Sequence, residues 1–136
     1  MKIPLPVPKF NKEIPKPDHP IIDFNPDTLN LENKGKFVTA YIELPEGYEI
    51  SQIDILSIML NSLVPVLAKP TEIGDYDGDG TPDLMVKFER SEAQAIFSPE
   101  EGVIITLTGK VSYNGSSIDF KGSDIIRVVD PGKGKE

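Results

Sequence analysis

Short runs in which apolar and polar residues alternate fill the middle of the chain. The clearest run covers 37–44, where Val38, Ala40, Ile42 and Leu44 are separated by Thr, Tyr and Glu. Alternation with a period of two is typical of a β-strand that has one buried face. The same alternation, or a short apolar run between turn residues, predicts further strands at 21–24, 28–31, 53–60, 64–67, 84–88, 103–113, 118–120 and 124–129.

Two glycine-containing pairs shape the last part of this pattern. Asn114 and Gly115 predict a tight hairpin, because both central positions of a type I′ turn need a positive φ. Gly122 and Ser123 shift the alternation of the returning strand, and we interpret them as a β-bulge. The two longest strands are therefore expected to pair as neighbours.

One segment has the features of a helix. Ser91 and Gln94 have the spacing of a capping box, and the helix is expected to run to about Phe97, before Ser98 and Pro99. Strands and helices do not alternate along the chain, which argues against a parallel nucleotide-binding sheet. We predict an all-β fold with one short helix, an antiparallel immunoglobulin-like β-sandwich, with a small barrel as the alternative.

Prolines are concentrated at the start of the chain, at Pro4, Pro6, Pro8, Pro15, Pro17 and Pro20. Proline fixes φ and lacks a backbone donor, so such a stretch favours extended polyproline II. We interpret residues 1–20 as a proline-rich linker, 21–130 as the β-sandwich domain and 131–136 as a flexible tail.

Composition excludes several classes of function. With 22 acidic and 14 basic residues among 136, the net charge of -8 argues against binding to nucleic acid or to a membrane surface through basic patches. No apolar run approaches the ~18 residues of a membrane span. The chain lacks cysteine and has a single histidine, His19 in the linker, so we find no nucleophile–base pair and expect a protein that is not an enzyme.

The segment with the clearest chemistry is an acidic loop. Carboxylates occupy positions 1, 3, 5 and 9 of this loop, at Asp75, Asp77, Asp79 and Asp83. Gly80 falls at position 6, where a calcium loop turns sharply, and Thr81 at position 7 would offer its backbone carbonyl. Only oxygen ligands are present, which favours calcium over zinc or copper. We predict one Ca²⁺ bound by Asp75, Asp77, Asp79, Thr81 and Asp83.

This spacing resembles the Asp-x-Asp-x-Asp-Gly-x-x-Asp loop of EF-hands, dockerins and integrin-type FG-GAP repeats. It departs from the EF-hand at position 12, where Val86 replaces the usual bidentate Glu. Val86 belongs to an alternating strand, so the loop resembles the version in which Asp83-Leu84 enters a strand directly. A single copy of the loop argues against an FG-GAP propeller.

A longer stretch carries a second resemblance. DFNPDTLNLENKGKFVTAYIELPEGY together with IGDYDGDGTPDLMVKF is similar to an accessory module of large secreted or surface proteins of archaea and bacteria. That resemblance spans roughly 21–129 and implies an extracellular or cell-surface β-domain without catalysis. We expect a structural function, with the ion making the 68–82 connection rigid and with other domains of a parent protein as partners.

Alternative interpretations stay open at this point. The acidic loop could be a solvated turn, because Asp and Gly are common turn residues. Glu72 and Glu89 are near enough in sequence to complete a calcium shell, whereas Glu43, Glu46 and Glu49 are interpreted as surface charge. The second candidate function is a carbohydrate-binding module, with a polysaccharide as partner and a sugar-stacking strip formed by Tyr41, Tyr48, Tyr76 and Tyr113.

Overall fold

The computed structural model describes residues 20–130. Within this range it contains nine strands: β1 (Ile21–Asn25), β2 (Thr28–Asn30), β3 (Phe37–Glu43), β4 (Ile53–Leu60), β5 (Val64–Pro65), β6 (Glu72–Gly74), β7 (Asp83–Glu89), β8 (Glu100–Tyr113) and β9 (Ser116–Val129). A 3-10 turn, Ile50–Gln52, precedes β4, and the helix α1, Arg90–Ala95, follows β7. The predicted all-β class with one short helix is confirmed.

The strands form two sheets that pack face to face. The first sheet has the order β1-β3-β7-β6, and the second has the order β2-β9-β8-β4-β5. Both sheets contribute to one hydrophobic core, whose largest fully buried side chains are Phe24, Phe88, Leu29, Ile42, Ile58, Leu60, Ile105 and Leu107. Burial of alternate apolar residues from facing sheets is what defines a β-sandwich.

Strand pairing is antiparallel except at one place. β2 runs parallel to β9, where the Arg127 N–H donates to the Asp27 carbonyl and the Leu31 N–H donates to the Val129 carbonyl. The chain thus passes from β1 in the first sheet to β2 at the edge of the second. The immunoglobulin-like strand order stays a prediction, and the linker 1–20 and tail 131–136 lie outside the described residues apart from Pro20.

The first sheet carries the acidic loop at one end and an open face along its length. β3 follows the predicted alternation, with Val38, Ala40 and Ile42 buried in the core. The side chains between them, Tyr41 among them, therefore lie on the outer face. Tyr41 is paired with Met85 of β7 and Asp23 of β1, and the adjacent Ile42 is paired with Leu84. This register brings the end of β3 to the start of β7.

The bulge predicted at Gly122 and Ser123 is wrong. The pairing of β8 with β9 is continuous past Gly122, which faces Leu107, and the only shift in this pair lies between Glu100 and Val103. Gly122 occupies an inward position at which a Cβ atom would lie 2.6 Å from Ile22 Cγ1. A glycine is needed there for close packing against the other sheet, rather than for an irregular backbone.

The capping box predicted for the helix is also wrong. α1 begins at Arg90 with Glu89 at the N-cap, and the cap has no side-chain hydrogen bond. Gln94 instead donates its side-chain amide to the carbonyls of Asn30 and Asn33, at 3.0 and 2.8 Å. Its polar group thus holds the β2–β3 connection, a long-range contact that local spacing does not reveal.

The strand β6 was not predicted at all. It has only three residues, Glu72–Gly74, and none of them is buried. It pairs with the first three residues of β7 and forms an edge of the first sheet. Its pairing places the start of the acidic loop directly beside the strand that follows the loop.

Candidate metal centre

The acidic loop joins two paired strands. It leaves β6 after Gly74 and enters β7 at Asp83, and these two residues are partners in the sheet. The chain between them reverses direction through Gly78 and Gly80, which have φ values of +73° and +89°. Such positive φ values favour glycine strongly over residues with a Cβ atom.

Backbone amides inside the loop hold its first carboxylates in place. The Asp79 N–H donates to Asp75 Oδ1 at 3.1 Å, and the Gly80 N–H donates to Asp75 Oδ2 at 2.8 Å. The Thr81 N–H donates to Asp79 Oδ1 at 2.8 Å. These hydrogen bonds wind the loop tightly around the side chain of Asp75, as the spacing of the motif requires.

The loop carboxylates converge in two overlapping groups. Oxygens of Asp75, Asp77 and Asp83 lie within 4.8 Å of one another. Oxygens of Asp77 and Asp79 lie within the same distance of a third carboxylate, that of Glu43. Two ligands on opposite sides of a Ca²⁺ ion are separated by about 4.8 Å, because each lies at ~2.4 Å. Each group is therefore compact enough to surround a metal ion.

Glu43 comes from β3 and is the residue of this cluster that was not predicted. Its Oε1 atom is buried and has no hydrogen-bond partner among the described residues. Asp83, which is 4 % exposed, accepts a hydrogen bond of 3.0 Å from the Tyr76 N–H. Two carboxyl groups are therefore partly withdrawn from water beside each other, an arrangement that costs free energy unless a cation lies between them.

The acidity of Glu43 reflects this crowding. Burial, followed by the neighbouring carboxyl groups of Asp83 and Asp79, raises the pKa of Glu43 from 4.5 to about 7. The pKa of Asp79 is lowered, mainly because the Thr81 N–H donates to its carboxylate. The pKa of Asp77 is raised, first by desolvation. The Glu43 carboxyl is therefore partly protonated near neutral pH when no cation is bound.

Sequence spacing identified four of the five clustered carboxylates, Asp75, Asp77, Asp79 and Asp83. Thr81 lies in the loop as expected, and its carbonyl as a ligand stays a prediction. The proposed extra ligands do not join the two groups. Glu72 instead lies beside the Tyr76 side chain, where it adds to the effect of burial in raising the pKa of the Tyr76 hydroxyl.

Glu89 lies at the opposite end of β7 from Asp83. Six residues of extended chain separate them by about 20 Å, since a strand rises ~3.3 Å per residue. Glu43, rather than Glu72 or Glu89, supplies the additional carboxylate of the cluster. The alternating pattern of β3 places Glu43 and Tyr41 on the same outer face of the sheet. The sequence does not show which strand pairs with β3 at that end.

The four tyrosines form two separate pairs rather than one strip. The rings of Tyr41 and Tyr76 have centroids 4.8 Å apart and are tilted by 48°. Those of Tyr48 and Tyr113 are 5.0 Å apart. The first pair lies beside the acidic cluster, because Tyr76 is part of the loop and Tyr41 is two residues before Glu43.

Comparison with models of protein families, with curated proteins and with solved structures finds no match to this chain. Within 20–130, no helix has both the length and the apolar character needed to cross a membrane. Two overlapping groups of three carboxylates, Glu43 with Asp77 and Asp79, and Asp75 with Asp77 and Asp83, could hold a metal ion.

Proposed function

We propose that the chain is a non-catalytic module that binds one Ca²⁺ ion through Asp75, Asp77, Asp79, Asp83 and Glu43, with the Thr81 carbonyl as a further ligand. The observation that carries the proposal is the position of Glu43. A buried, unpartnered carboxylate oxygen from a separate strand faces a loop that already has the calcium spacing. A solvated turn gives no reason for that oxygen to be withdrawn from water.

Calcium suits this cluster better than magnesium. Calcium accepts six to eight oxygen ligands, including several carboxylates, in flexible geometry. Magnesium demands a smaller, near-ideal octahedron and usually keeps several waters. Two groups of three carboxylates that share Asp77 offer the larger ion the many oxygen ligands that it takes.

The ion's role in this proposal is structural. It links the β6–β7 loop to the end of β3 and thereby fastens an edge of the first sheet. A ligand at 100 times its dissociation constant adds about 2.7 kcal/mol to the free energy of unfolding. That is a large share of the ~5–15 kcal/mol typical of a domain. The module would serve a larger secreted or cell-surface protein as an accessory domain.

Terbium luminescence tests the site directly. Tb³⁺ replaces Ca²⁺ at oxygen sites and is excited through a nearby aromatic ring; the chain has no tryptophan, and Tyr76 lies in the loop. We expect tyrosine-sensitised Tb³⁺ emission that calcium displaces. Glu43→Gln should weaken calcium binding by about tenfold or more, equivalent to ~1.4 kcal/mol.

Glu46→Gln is the matched control, because Glu46 lies three residues further along the chain, is exposed and is absent from the cluster. Its calcium affinity should equal that of the unaltered protein. Equal affinities for Glu43→Gln and Glu46→Gln would remove Glu43 from the site. Lack of sensitised emission at any Tb³⁺ concentration would refute the calcium proposal.

The measured affinity also tests where the module works. Extracellular calcium modules have dissociation constants of about 10⁻⁴–10⁻³ M, whereas intracellular sensors and buffers bind more tightly. We expect a value in the extracellular range. A micromolar or tighter constant would contradict the extracellular placement while leaving the calcium site intact.

A further inference from the structure

A cavity lies on the outer face of the first sheet, next to the acidic cluster. It has a volume of about 240 Å³, and it is bordered by Ile21, Tyr41 and Tyr76 on its apolar side. Asp23 and Asn25 of β1 supply polar groups, and the cavity extends to the carboxylates of the metal cluster. The volume is below the ~300–1,000 Å³ of pockets for drug-sized ligands, so it suits a ligand the size of one sugar ring.

The apolar side chains that border this cavity are not part of the buried hydrophobic core. Ile21 is 57 % exposed and Tyr76 is 44 % exposed, although both are large apolar side chains. The ring centroids of Tyr41 and Tyr76 lie 4.8 Å apart, and both side chains line the cavity. Aromatic side chains pack well against the flat C–H faces of ligands and retain a polar hydroxyl at the rim.

The charge around the cavity selects among ligands. Its described lining contains no Lys or Arg, so an anionic ligand would meet carboxylates without compensation. Calcium would offset two of the negative charges of the cluster at the far end and leave Asp23 and Asn25 as hydrogen-bonding groups. The pKa of Asp23 is raised by burial and by Asp124, Asp27 and Asp83, which shows how acidic this region is without a cation.

We infer that this cavity binds an uncharged hexopyranose unit of a polysaccharide. Tyr41 and Tyr76 pack against the sugar ring. Asp23 and Asn25 form hydrogen bonds with the sugar hydroxyls. The inference rests on the proposed calcium site, because without the ion the cavity is lined by repelling carboxylates.

Affinity electrophoresis tests the inference with defined probes. The protein is run in native gels containing galactomannan, xyloglucan or mixed-linkage β-glucan, in millimolar calcium or in EDTA, with chondroitin sulfate as the anionic comparison. We expect retardation by at least one neutral polysaccharide in calcium and its loss in EDTA. Chondroitin sulfate should give no retardation.

Single substitutions test whether the polysaccharide binds at this cavity. Tyr41→Ala should reduce the affinity by about tenfold or more, corresponding to ~1.4 kcal/mol. Tyr113→Ala is the matched control, because it removes a ring from the other tyrosine pair and should leave the retardation unchanged. Asp23→Asn is a second test that preserves shape, and it should weaken binding without affecting folding.

The outcomes separate the two proposals. Terbium binding with no retardation by any of the three neutral polysaccharides would overturn the sugar inference and leave the calcium site standing. Absence of terbium binding would refute the calcium site itself. Retardation that persists in EDTA, or that is equal in Tyr41→Ala and Tyr113→Ala, would also overturn the inference, as would retardation by chondroitin sulfate alone.

Discussion

At the scale of single residues, Glu43 couples calcium to pH. Its pKa in the folded protein without a cation is about 7, above its ordinary value of 4.5. Between these two values the folded state binds more protons than the unfolded state. The contribution of Glu43 to the free energy of unfolding is therefore lost as pH rises through this window, provided that no calcium is bound.

The corresponding prediction concerns the slope of stability against pH. In EDTA, the free energy of unfolding measured with urea should fall more steeply between pH 4.5 and 7 for the unaltered protein than for Glu43→Gln. The comparison removes the Glu43 carboxyl together with its effect on neighbouring acids such as Asp79, which are present in both proteins. Calcium should reduce the fall, since it favours the ionised carboxylate. Identical slopes for the two proteins in EDTA would contradict the prediction.

The cluster also shows which residues a sequence can identify. Asp75, Asp77, Asp79 and Asp83 lie within nine positions, so their convergence follows from the local winding of one loop. Glu43 lies about 30 residues earlier, and its approach depends on β3 pairing with β7. Alternation predicted the face on which Glu43 lies but contained no information about the neighbouring strand.

At the scale of elements, alternation predicted the long strands well because each has one buried face. The short exposed strand β6 has no buried residue and depends on pairing with β7, which local pattern does not reveal.

Gly122 shows that a glycine within a strand can have more than one structural explanation. Its lack of a side chain was interpreted as an irregular backbone, whereas the structure uses it for close contact between the two sheets.

A substitution at Gly122 tests that explanation. In Gly122→Ala the new methyl group would lie 2.6 Å from Ile22 Cγ1 and 3.1 Å from the Pro20 carbonyl oxygen. Overpacking of this kind typically costs ~1–3 kcal/mol. We expect the urea midpoint to fall by a corresponding amount, with the m-value unchanged.

Ser123→Ala is the control for this experiment, because Ser123 is the next residue of β9 and is exposed. Its weak side-chain contact with Thr106, at 3.4 Å, should contribute within about 0.5 kcal/mol. If Gly122→Ala were as stable as Ser123→Ala, the glycine would not be required for packing, and the close approach of β1 to β9 would need revision.

At the scale of the whole molecule, the hydrophobic core and the acidic cluster are separate. The core lies between the two sheets and is built from side chains such as Phe24, Phe88 and Leu107. The cluster lies at one end of the outer face of the first sheet. Removal of calcium should therefore loosen the loop and the adjacent strand ends without unfolding the sandwich, since local stability follows local contacts.

Hydrogen exchange with and without EDTA checks this prediction. Amides of Tyr76, Asp79, Gly80 and Thr81 donate to loop carboxylates, whose mutual repulsion increases when the cation leaves. We expect faster exchange in the 75–83 loop after chelation. The paired amides of the β8–β9 hairpin should keep their protection, because they lie in the second sheet, and the far-ultraviolet circular dichroism should be unchanged. Uniform acceleration across both sheets, or loss of the β spectrum in EDTA, would show instead that the ion is required for the entire fold.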